Sequence, residues 1–180
     1  MTSFLESFRE EFSELFTENH KKILTLIDMH DFSRVRQRVS KEQGITDKKI
    51  LDEGIDNLKR YYAVAFLDPL NEHAVSKPVD PFWHTHILFT KEYTQFCIDV
   101  VNAYMHHEPL DESDSAEVER VKNLYEYTRL IYSKMFKSTS DSWWPDSSVD
   151  ESVVICQHCP MSYSIYEPLF PLRTDIECRA

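Results

Sequence analysis

Asp80-Pro81-Phe82-Trp83-His84-Thr85-His86, running on through Tyr93 and Cys97 to His106-His107, is the stretch on which the reading of this chain turns. Asp at an N-cap and Pro at the first helical position announce a helix start, since proline's missing N–H costs nothing there. The spacing behind it predicts a helix from 81 to about 105. Four of the eight histidines fall in this stretch. Imidazole titrates near neutrality and is the commonest metal ligand, so that density points to metal or proton chemistry.

The helical wheel then sets limits. At ~100° per residue, His84 and His86 stand roughly 200° apart, so a regular helix cannot offer both to one ion. An extended segment could, because i and i+2 share a face in a strand. His86, Tyr93, Cys97 and Tyr104 share a face flanked by Phe89, Phe96, Val100 and Val101, the side expected to be buried. His84 lines up with Lys91, Gln95 and Asn102 on a polar side. Along an unbroken helix His84 and His106 are roughly 33 Å apart and cannot share a metal unless the helix breaks. The candidate set is therefore His84 and His86 as ligands or acid–base groups, with Asp80 or His73 to orient or complete them. His106 and His107 join after a chain reversal, and Tyr93 would donate a proton or stabilise an oxyanion. The competing reading keeps His86 as a core histidine bonded to Tyr93 or a backbone carbonyl, with His84 exposed.

Around this stretch the chain reads as helices. Ser3 and Glu6 form a capping box, and Phe4, Phe8, Phe12 and Phe16 follow at helical spacing, predicting a helix to about residue 18. Ile23, Leu24 and Ile27 continue it or open another near Thr17, with His20 and His30 as ordinary surface or helix-end residues. A short helix over 33–43 is stopped by Gly44. Thr46 caps a longer one that carries Leu51, Ile55, Leu58, Tyr62 and Phe66, and Asp68-Pro69 ends it. A loop over 71–79 holds His73. Beyond the acidic loop 108–114, Asp114 and Glu117 start a helix to about 137.

The C-terminal part differs in kind. Residues 138–152 read as a Ser/Asp-rich linker interrupted by Trp143-Trp144-Pro145. Residues 153–180 read as an irregular or weakly β tail packing on the helical domain of residues 1–137. Cys156 and Cys159 make a C-x-x-C that grips zinc if His158 and Cys178 complete four ligands. A redox pair and plain thiols remain the other readings. The expected architecture is all-α, a bundle of four to five helices with this Cys-containing tail.

Composition removes several classes. Two glycines leave little material for Gly-rich phosphate loops, which disfavours nucleotide folds. A net charge of −11 repels phosphate backbones and anionic lipid, so no nucleic-acid or membrane partner is expected. The basic run Arg34, Arg36, Arg38, Lys41, Lys48 and Lys49 spreads around a helix as a solvated face. An acidic start without an apolar core predicts no secretion signal, and four cysteines in such a chain suit the cytoplasm.

Asp80, Trp83-His84-Thr85-His86, Tyr93 and Cys97 resemble the Trp-His-x-His…Tyr…Cys signature of the glycine-rich domain-containing-protein-like family, over about residues 78–109. The resemblance implies that these residues belong to a site or its scaffold, and it brings no known reaction. The chain departs from plant members of that family in lacking a glycine-rich region. Taken together, the expectation is a metal-binding helical protein that holds Zn or Fe. It would act on a small molecule or peptide through a histidine site. The alternative is an interaction module presenting the acidic loop and the paired tryptophans to a partner protein.

Overall fold

Helices α1 (Glu10–Ser13), α2 (Glu18–Met29), α3 (Ser33–Gln43) and α4 (Lys48–Leu67) are followed by α5 (Asp80–Leu88), α6 (Thr90–Val101) and α7 (Ser115–Met135), with a 3-10 turn at Leu5–Ser7. The computed structural model describes residues 3–138, 142–146, 154–158 (backbone only) and 168–173. Every residue of α4 from Tyr61 to Leu67 is buried, and a helix that is apolar all round belongs inside. Accordingly α2, α3, α5 and α7 pack around it. No helix among the described residues is long and apolar enough to cross a membrane.

The mostly helical class holds, but seven α-helices stand among the described residues where four to five were expected. Two interruptions account for the difference. The Ser3–Glu6 capping box forms, yet Phe8 turns extended. The reason is tertiary: the Arg9 N–H donates to the Met135 carbonyl at 2.8 Å and the Lys137 N–H to the Ser7 carbonyl at 2.9 Å. The end of α7 thus takes backbone groups that a continuous first helix would need. Thr17 restarts the chain as α2 in a reciprocal capping box with His20.

The second interruption lies in the expected helix over 81–105. It divides at Phe89 (φ −84°, ψ 59°), whose ring lies 4.3 Å beneath the Arg34 guanidinium. It also ends early, at Asn102 in the left-handed region with φ 54°. Asp80 is the first residue of α5 rather than its cap, a position taken by Val79. Asp47, not Thr46, caps α4 by accepting the Lys49 N–H at 2.8 Å. Gly44 (φ 67°) closes α3, and Asp114 caps α7, as the sequence predicts. Gly54 has another reason to be glycine: the end of the Phe82 ring presses on its Cα, so α5 lies directly against α4 there.

The segment expected as a loop around His73 is a strand, β1 (His73–Ser76). With β2 (Glu108–Pro109) and β3 (Val154–His158) it forms a small antiparallel sheet in the order β1-β3-β2. His73 pairs with His158, Val75 with Cys156, and Glu108 with Gln157. The two tryptophans, one reading of which had them facing a partner, are buried instead. The Trp144 indole donates to Asn57 Oδ1 at 3.0 Å and that of Trp143 to Glu53 Oε2 at 3.4 Å.

Candidate metal centre

The regular helix of α5 sends its two histidines to opposite sides. His86 points into the core and is fully buried. There it meets His30, which ends α2, with ring centroids 5.1 Å apart. Glu92, in the first turn of α6, completes the group. One donor atom from each of His30, His86 and Glu92 lies within 4.8 Å of the other two, the group of three among the described residues with donors this close. The walls are aromatic: Phe32, Phe96 and Tyr93 stand 5.2 Å from the His86 ring.

Hydrogen bonding singles out the two Nε2 atoms. Tyr62 Oη and His86 Nδ1 are bonded at 2.8 Å, whereas His86 Nε2 and His30 Nε2 are both buried with no hydrogen-bond partner. Orphaned buried polar atoms are rare and call for a reason. A metal ion is such a reason, and a partner on the second nitrogen is how proteins orient ligating imidazoles. Burial, helped by the neighbouring His30, lowers the His86 pKa to about 3, and burial likewise lowers that of His30. Both rings are therefore held neutral, the form that ligates a metal. Glu92 Oε2 accepts from Arg34 at 2.7 Å, which fixes the carboxylate and leaves its other oxygen to point elsewhere. A cleft of about 260 Å³ reaches His30 past Phe32, Arg36, Asp52, Ile55 and Lys59.

The residues singled out from the sequence distribute over several places. Tyr93 lies beside His86 but its hydroxyl donates to the Met105 carbonyl at 2.7 Å, and burial raises its pKa well above the usual phenol range. It braces the reversal after Asn102 and is a poor acid. Cys97 packs beside it, its thiol pushed up by burial to about 11. His84 is exposed and does not join His86. The Asn102 reversal instead carries His107 to it, with ring centroids 5.3 Å apart, over a cleft that Asp80 also lines. His106 is exposed and packs on Tyr104.

His73 is far from either cluster in role. Its Nε2 lies 3.1 Å from Asp68 Oδ2 and its Nδ1 3.3 Å from Thr128 Oγ1, while Tyr127 and Asn71 also donate to the Asp68 carboxylate. Both ring nitrogens are engaged in tying β1 to α7 and to the end of α4. Cys156 falls in β3, of which only the backbone is described, and Cys159 and Cys178 lie outside the described residues.

Sequence reasoning passed over His30 and Glu92. One signal for His30 was present: it follows the buried Ile23 and Ile27 at helical spacing, so it continues an apolar stripe where an exposed histidine has no place.

No curated protein and no solved structure matches the chain. A family model described as UCP032817-like matches residues 22–128. The matched span runs from α2 into α7 and contains His30, His86 and Glu92 as well as the Asp80–His107 cleft. Covering more than half of the chain, it shows that the chain belongs to the UCP032817-like family.

Proposed function

We propose that this chain is a cytosolic metal-binding helical protein whose ion is held by His30, His86 and Glu92, and that it acts as a metalloenzyme on a small molecule or peptide. One observation carries the reading: two imidazoles and a carboxylate bring donor atoms within 4.8 Å of one another, and each imidazole has a buried Nε2 with no hydrogen-bond partner. Two histidines and a carboxylate suit Zn or Fe and leave coordination positions open for water or substrate. An ion so placed would lower the pKa of a bound water and polarise a substrate oxygen. The protein's own part is to fix His86 through Tyr62, fix Glu92 through Arg34, and surround the donors with aromatic rings that exclude bulk water. We also read Trp83-His84-Thr85-His86, Tyr93 and Cys97 as kinship with the glycine-rich domain-containing-protein-like family. The alternative, a partner-binding module displaying Trp143 and Trp144, has less support because both indoles are buried, Trp143 beside Phe82 of α5 and Trp144 beside Tyr132 of α7.

The test is the metal content of untagged protein after purification. Wild type is compared with His30→Ala/His86→Ala and with Cys156→Ser/Cys159→Ser. We expect about one retained equivalent, lost only from the histidine variant. Metal lost only from the cysteine variant, or none in wild type, overturns the assignment.

A further inference from the structure

The second face of α5 carries its own donor set. Asp80 and His84 are one helical turn apart, the i, i+4 spacing that puts two side chains on one face. His107 meets them from the segment leading into β2, its ring 5.3 Å from that of His84 and 5.0 Å from Trp83. The His107 Nε2 is buried and has no hydrogen-bond partner. These residues line a cleft of about 360 Å³, with Glu42 at the end of α3 and Glu112 beyond β2. Glu42 is paired with Arg38 at 2.7 Å, but among the described residues no cationic side chain lines the cleft, so the ligand that fits is a cation. Imidazole beside carboxylate narrows that further to a divalent metal.

We infer that Asp80, His84 and His107 form a second divalent-cation site, separate from the His30–His86–Glu92 centre and on the opposite face of the same helix. The donors stand wider apart than in the first centre, and His84, being exposed, is the ligand that swings in to close on the ion. The inference does not depend on the first centre.

The experiment is therefore run without that centre. Zn²⁺ alone is titrated calorimetrically into a His30→Ala/Glu92→Gln background, which leaves the buried His86–Tyr62 pair in place. Adding His84→Ala, a change at an exposed ring, should weaken one equivalent of Zn²⁺ at least about tenfold, since even an outer-shell partner of a ligand is worth that much. His107→Ala should do the same, and in the background protein the His107 ring ¹⁵N resonances should move as Zn²⁺ is added. An isotherm unchanged by His84→Ala, or His107 resonances that stay still, overturns the site. Any thiol-bound zinc is common to all these proteins and drops out of the comparison.

Discussion

Tyr62→Phe separates a metal-orienting hydroxyl from a merely structural one. The substitution deletes a single buried oxygen, the partner of His86 Nδ1 at 2.8 Å, and keeps the ring that packs on Phe66 and Phe96. His86 is fully buried, so Nδ1 acquires no water in exchange. Leaving such a group unsatisfied costs about 1–3 kcal/mol, which should show as a lower urea midpoint for the metal-free protein. If His86 ligates through Nε2, its Nδ1–H donates to Tyr62, and loss of that outer partner should also weaken metal binding about 10–100-fold. Tyr93→Phe is the matched control. It deletes another buried hydroxyl beside His86, one that serves the Met105 carbonyl, and should lower stability without weakening the metal. A competition titration against a chromophoric chelator reads both affinities. The reasoning fails if Tyr62→Phe binds metal as tightly as wild type, or if Tyr93→Phe weakens it equally.

Two further outcomes follow from the packing and the titration of the core. Gly54→Ala should destabilise although alanine is the better helix former by about 1 kcal/mol. Its Cβ would fall on the Phe82 ring, 2.5 Å from Cε1 and Cε2, and overpacking a buried ring costs about 1–3 kcal/mol, so a higher melting temperature would refute the close approach of α5 to α4. Acid should also unfold the metal-free protein through His86, whose pKa is about 3 when folded against roughly 6.5 when unfolded. Between those values the unfolded chain binds more protons, so the contribution is complete above pH 6.5 and is lost as pH falls toward 3, by up to about 1.4 kcal/mol per unit. Urea titrations of His86→Gln should show a shallower slope over that window, and an identical slope would count against the burial of this ring.

What could be read from the sequence was what neighbouring residues encode. Gly44, Asp68-Pro69 and Asp114 mark helix ends through local backbone chemistry, and each stands at or beside the end it was expected to mark. The break at Phe89 has no such signal, because no Gly or Pro lies there and the ring is held by Arg34 from α3. Phe8 is the same case, its helix cut short by the distant end of α7. The site suffered for the same reason. His30 looks like an ordinary helix-end residue until α2 packs on α6 and brings it to His86 and Glu92.

The two histidines of Trp83-His84-Thr85-His86 acquire different partners because α5 is regular and also short. Regularity keeps His84 and His86 on opposite faces, so one ion cannot use both. Shortness lets the chain turn twice, at Phe89 and at Asn102. Had the helix run on, His106 would stand roughly 33 Å beyond His84. The first turn instead sets Glu92 of α6 within reach of His86, and the second returns His107 to His84. Tyr93 and Cys97 hold that return by bonding at Met105, which explains why their place in the sequence pattern does not require them to touch a substrate. The segment whose break at Phe89 carries no local signal is thus the one that assembles both clusters. A variant that straightens it, by relieving the Arg34–Phe89 contact or the Asn102 reversal, should loosen the metal before it unfolds the helices.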